Sequence, residues 1–173
     1  MDNGSAHLRE VSFVSEEEHR GISSTPFVSD GIVIQAFPKI IWEIITSPTY
    51  AKELGEMFDK NSYIESTWEK DAAVYFKNAP DITVSTGIIT AIWKNSYIQI
   101  DYDFDGYHYV EKILFDKNKE DRNTKVHLTA GPYGEDYPAQ IVVWHNWLNK
   151  VKELSEQKMN LENYFGVRDQ LWE

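Results

Sequence analysis

The sequence contains no cysteine, which excludes disulfide scaffolds, thiol catalysis and Cys-based zinc sites together. It also lacks a basic excess: 17 Lys and Arg against 28 Asp and Glu give a net charge of −11, and the basic residues are scattered. A phosphate backbone or an anionic membrane surface is therefore not an expected partner. No apolar run approaches the roughly 20 residues that cross a bilayer, and Met1 to Leu8 has neither the basic nor the apolar region of a secretion signal. A soluble, cytoplasmic protein is the expectation. Glycine-rich phosphate loops, a nucleophile elbow and a Ser-His-Asp pattern are missing as well. What remains is a chain of 173 residues, 42% hydrophobic and 14% aromatic, long enough for one core.

The first 26 residues are polar and read as a flexible or loosely packed extension, with Val11 and Phe13 able to add an edge strand. Ile32, Ile34 and Ala36 then recur at the period of a half-buried strand, whereas Ile41, Ile44 and Ile45 recur at the period of a helix face. Pro38 separates the two patterns, because proline fits a first helical turn and cannot sit in a central strand. Ser47-Pro48 repeats the device as cap and first helical residue of a second short helix. Period-two segments follow at about 62–69, 72–77, 83–93, 96–104, 107–116 and 123–130, broken by turn chemistry such as Lys94-Asn95 and Asp105-Gly106. A long helix is expected from about 138 to 157, with Ile141, Val143, Trp144, Trp147, Leu148, Val151 and Leu154 on one side. His145, Asn149, Lys152 and Glu156 fall on the other. The domain thus spans 27–158, and 159–173 forms an apolar C-terminal extension carrying Leu161, Tyr164, Phe165 and Trp172.

The order strand, two short helices, antiparallel strands and one long helix resembles the helix-grip fold of the START-like (SRPBCC, birch-pollen-allergen-type) superfamily. Ala36-Phe-Pro-Lys-Ile-Ile-Trp42 with Thr46-Ser-Pro48 is similar to the signature of its activator-of-heat-shock-ATPase homologue branch. Asn123-Thr-Lys-Val-His-Leu-Thr129 resembles that branch's last strand, and Trp144-x-x-x-Leu148-x-x-Val151 its terminal helix. Where many relatives carry a glycine pair in the hairpin near Trp68, this chain has Glu69-Lys-Asp71. The resemblance implies an α+β fold: a curved antiparallel sheet, two short helices after the first strand, and the long helix packed across the sheet.

Strand parity and helix phase gather an aromatic set on the inner surface: Trp68, Phe76, Tyr102 and Phe104 from strands, Trp144 and Trp147 from the long helix. His108, next to the Asp105-Gly106 turn, stands at the rim as the one histidine within reach of a cavity mouth. These seven residues are the expected ligand-binding set. Each ring taken singly is also an ordinary core residue. Asp101 and Asp103 point outward by parity, and the EF-hand-like run Asp101-Tyr-Asp-Phe-Asp-Gly106 fails because Lys112 stands where a bidentate Glu is required. No metal, cofactor or catalytic residue is assigned. Parity over Tyr109 to Phe115 reads either way, and the inner face so read offers no acid–base pair.

Three functions remain. The favoured one is noncatalytic binding of a small apolar or aromatic ligand between sheet and helix. A second, implied by the family name, is protein interaction or co-regulation of a chaperone ATPase, through a partner or a homodimer formed by the C-terminal segment. A third is a cyclase or hydratase acting on a polycyclic substrate, with His108 and Tyr102 as the groups to test.

Overall fold

The computed structural model describes residues 26–104 and 106–165, with Phe104 described in its backbone only. Seven strands, β1 (Val28–Ile34), β2 (Ser62–Ser66), β3 (Ala73–Asn78), β4 (Ile82–Trp93), β5 (Tyr97–Phe104), β6 (Tyr107–Asn118) and β7 (Asn123–Gly131), form one antiparallel sheet in the order β1-β7-β6-β5-β4-β3-β2. Helices α1 (Pro38–Thr46) and α2 (Ala51–Gly55) follow β1, and α3 (Tyr137–Tyr164) closes the described chain. The sheet curls as a half-barrel with α3 packed across it, which is the α+β helix-grip architecture expected above.

The switch at Pro38 is real and its cause is visible. β1 stops at Ile34, the last residue paired with β7, because the Gln35 amide donates to Glu156 Oε1 at 2.9 Å on α3 rather than to a neighbouring strand. The strand is therefore shorter than the period-two pattern through Ala36 suggests. Pro38 opens α1, and Ile40, Ile41, Ile44 and Ile45 are buried along its inner side. Trp42 sits at the edge of this core, 6.0 Å from the Phe115 ring. Ser47-Pro48 departs from expectation. Ser47 ends α1, its amide donating to Glu43 O at 2.9 Å, and Pro48 lies in a turn ahead of α2.

Long-range polar contacts clamp α3 to the front of the molecule. Lys158 Nζ meets Glu43 Oε1 at 3.0 Å on α1, Lys152 Nζ donates to Val33 O at 2.7 Å, and His145 Nδ1 lies 2.9 Å from Asp30 Oδ2. Exposed pairs of this kind contribute little stability, but they fix the angle at which the helix crosses the sheet. Of the expected apolar side of α3, Trp144, Trp147, Leu148, Val151 and Leu154 are buried, whereas Ile141 is exposed and Val143 is half-buried. The helix also runs past Gln157, so that Met159 packs into the core while Leu161, Tyr164 and Phe165 remain exposed. The N-terminal extension up to residue 25 and the last residues from 166 on lie outside the described residues.

Candidate functional site: a cavity between sheet and helix

The inner face of the sheet is set by alternation. On β5, Ile98, Ile100 and Tyr102 point inward, and their cross-strand partners on β6 are Ile113, Glu111 and Tyr109. This settles the strand whose parity the sequence left open: Tyr109, Glu111, Ile113 and Phe115 face the helix. It also puts a single carboxyl in the middle of the inner face, a residue that was not among those expected there. The missed signal was Glu111 itself. Within an alternating strand a charged residue is normally counted to the solvent side, and here it takes an inward position.

Between the sheet and α3 lies a cavity of about 180 Å³. Trp144 and Trp147 cover it from α3, with Gln140 one turn earlier on the same helix. Phe58, Leu54 and Ala51 close it from α2 and the chain beyond, and Ile64, Trp68, Phe76 and Ser85 line it from β2 to β4. Ile100, Tyr102, Tyr109, Glu111 and Ile113 make the floor, and Tyr133 enters from the segment after β7. Of the seven expected residues, five thus meet here: Trp68, Phe76, Tyr102, Trp144 and Trp147. His108 does not. Its ring is exposed on the opposite face, with Nδ1 3.0 Å from Asp103 Oδ1, because its strand position puts it out of phase with Tyr109. Phe104 ends β5 opposite Tyr107, and its side chain lies outside the described residues. Phe58, Ser85, Tyr109, Glu111, Tyr133 and Gln140 were not anticipated. Phe58 and Tyr133 come from irregular segments, where period carries no information.

The aromatic rings are in mutual contact. Phe58 packs edge-on against Trp144 at 4.7 Å and Phe76 at 6.0 Å, and Trp144 against Trp147 at 5.5 Å. Tyr102 and Tyr109 stack across the strands at 4.8 Å with planes 7° apart. Gly87, directly opposite Tyr102 on β4, makes room for that stack, because a Cβ there would stand 2.7 Å from the Tyr102 ring. Trp68 has a backbone φ of 56°, a left-handed conformation that bulky side chains avoid. That conformation ends β2 at Ser66, short of the expected 69, and turns the indole into the cavity, with the Trp68 amide donating to Ser66 Oγ at 3.1 Å. Such local strain is stored where neighbouring structure over-determines it.

Polar groups are few and connected. Trp144 Nε1 donates to the Tyr133 hydroxyl at 2.9 Å. The Tyr102 hydroxyl is hydrogen-bonded to the Glu111 carboxyl, and the Tyr109 hydroxyl to Ser85. The Trp147 indole N–H is buried without an acceptor among the described residues. Burial pushes the Glu111 carboxyl up to about 8, the Tyr102 hydrogen bond opposing it only in part. Burial, reinforced by the nearby Glu111 charge, raises Tyr109 to about 12 and holds Tyr102 and Tyr133 well above the ordinary phenol range. No Lys, Arg or His is among the lining residues. Near neutral pH the site is therefore mainly uncharged, walled by aromatic faces, with one carboxyl and several hydroxyls.

No protein-family model matches the chain, and no curated protein matches it. Solved structures do. The solution structure of the Aha1 dimer from Colwellia psychrerythraea aligns with a TM-score of 0.60 at 16% identity, covering 76% of this chain and 96% of that one. The chain has the helix-grip fold. CalU16 from Micromonospora echinospora shares this helix-grip architecture at a TM-score of 0.56 and 12% identity, over 78% of this chain and 79% of its own. SA2116 from Staphylococcus aureus aligns at 0.61 and 13%, over 78% and 97%. At these identities the likeness establishes the helix-grip fold and leaves function to the site.

Among the described residues no helix is long and apolar enough to cross a membrane. Asp101 and Asp103 face outward, as parity indicated. Asp101 accepts from Thr90 and Gln99, and Asp103 pairs with His108.

Proposed function

We propose that this domain binds a small, largely apolar or aromatic molecule in the cavity between α3 and the sheet, without catalysing its conversion. The observation that carries the proposal is the cavity itself, a space of about 180 Å³ under Trp144 and Trp147 in a fold whose core is otherwise close-packed. An apolar cavity of roughly 150 Å³ is enough to hold a benzene ring, so a ligand of one substituted ring fits the volume. A binding role is favoured over a reaction because the one carboxyl of the lining has only tyrosine hydroxyls beside it, all held above the ordinary phenol range and so poor partners in proton transfer near neutral pH. The test is native mass spectrometry of the protein purified from its source cells, followed by denaturation and identification of what is released. A stoichiometric small molecule that also quenches the fluorescence of the cavity tryptophans supports the proposal. A ligand-free protein whose tryptophan emission responds to no single-ring compound at millimolar concentration overturns it.

A second reading, protein interaction, has an observation of its own. Leu161, Tyr164 and Phe165 are exposed at the end of α3, at 59%, 84% and 74%, beside a shallow groove lined by Tyr50 and Leu154. The helix-grip neighbour from Colwellia psychrerythraea was solved as a dimer. If this helix end joins two copies, the double substitution Leu161→Asp with Phe165→Asp converts a dimer to a monomer in sedimentation analysis while leaving the fold intact. A wild-type chain that is already monomeric at high micromolar concentration removes this reading.

A further inference from the structure

Among the described residues Glu111 is the one charged residue on the cavity wall, and no basic side chain of the lining accompanies it. It stands on the floor with Ile100 opposite on β5 and Ala130 opposite on β7, both apolar. Around it are the stacked Tyr102 and Tyr109 rings, the Tyr133 ring 6.2 Å from Tyr109, and Trp144 hydrogen-bonded to Tyr133. An acidic group in an apolar cavity is unfavourable without a counter-charge, and if the cavity took only neutral hydrocarbons, an apolar residue at this inward position would bind them better. Aromatic faces attract cations through their quadrupole, most strongly where water is excluded. The chain's net charge of −11 adds a field of the same preference.

We infer that the ligand is an organic cation, an amine or quaternary ammonium attached to a small apolar body, with its charge held between the Glu111 carboxylate and the tyrosine faces. The inference deepens the ligand-binding proposal and rests on it. Glu111 is mostly protonated in the empty cavity at neutral pH, so a bound cation draws its proton off into solvent, and the complex holds an ammonium–carboxylate pair in place of a neutral acid. The ionisable groups facing Glu111 are Tyr102 from β5, Tyr109 from β6 itself and Tyr133 from the segment after β7, all of which remain neutral through this range. The helix contributes only Gln140, Trp144 and Trp147, which do not titrate.

The experiment compares two probes of one shape, benzyltrimethylammonium and its uncharged isostere neopentylbenzene, by calorimetry and NMR titration on the full chain at pH 7. The cation is expected to bind about tenfold more tightly or better, with release of a proton seen as a heat that varies with the buffer's ionisation enthalpy. Its affinity should rise with pH and level off above about 8. In Glu111→Gln the two probes should bind alike and no proton should be released. Circular dichroism of that variant establishes that it is folded. Equal binding of the two probes by the wild-type protein, or stronger binding of the anion phenylacetate, overturns the inference and leaves the cavity proposal standing. Binding of none of these probes defeats both.

Discussion

Replacing Trp144 by alanine is expected to remove about 3–5 kcal/mol of unfolding free energy. The indole is 2% exposed and roofs the cavity, and three partners depend on it: Phe58 at 4.7 Å, Trp147 at 5.5 Å and the Tyr133 hydroxyl that accepts its N–H. Truncation enlarges an existing void, so the surrounding chain has little with which to fill it. Against a total stability of about 5–15 kcal/mol for a domain, the variant should unfold at a much lower urea concentration. Trp144→Phe separates the contributions. It keeps a ring against Phe58 and loses the hydrogen bond, and should fall between wild type and alanine. A loss below about 1 kcal/mol in Trp144→Ala would mean that the helix does not bear on the sheet through this residue.

Glu111 gives the second large effect, and its sign is opposite to that of an ordinary paired carboxylate. The folded-state pKa, about 8, lies above the unfolded value near 4.5. The contribution is therefore fully present below pH 4.5. Between that pH and about 8 the unfolded chain sheds a proton that the folded chain keeps, so stability falls with pH by up to about 1.4 kcal/mol per unit. Above about 8 both states have lost it and no further decline arises from this group. Glu111→Gln, neutral throughout, should follow the wild-type protein at pH 5 and exceed it in stability by about 2–4 kcal/mol at pH 8. Urea midpoints across that range check the prediction, and parallel curves for the two proteins would refute it. Tyr102, Tyr109 and Tyr133 titrate above this window and do not disturb the comparison.

The fold was legible because its signals are local. The change of period at Pro38, the Asn95 and Gly106 turns, which have φ of 62° and 77°, and the buried stripe from Trp144 to Leu154 are written in neighbouring residues. Of the five expected residues that line the cavity, Phe76 and Tyr102 follow from strand alternation and Trp144 and Trp147 from helix phase, whereas Trp68 is turned in by its left-handed backbone beyond the end of β2. What was not legible depends on tertiary context. Glu111 takes an inward place that only its cross-strand partners Ile100 and Ala130 identify. Phe58 and Tyr133 reach the cavity from segments without periodicity. His108 fails for a simpler reason: nearness to a turn says nothing about side, and one step of phase separates it from Tyr109.

The order of the strands also governs when the domain can form. β2 to β7 are joined to their sheet neighbours by short connections, so each can pair as soon as the next strand exists. β1 has no such neighbour. Val28 pairs with Ala130 and Ile34 with Thr124, so the first strand must wait, edge unsatisfied, until the whole meander has been made. That closure is the step with the largest entropic cost, and it holds contact order, and hence folding time, well above that of a hairpin series of equal length. α3 can be clamped to Asp30, Val33 and Gln35 only afterwards. A chain cut short before β7 would therefore leave β1 without a partner and lack the helix that closes the cavity, and in refolding of the full chain the closed cavity should appear last, together with the final gain of cooperativity.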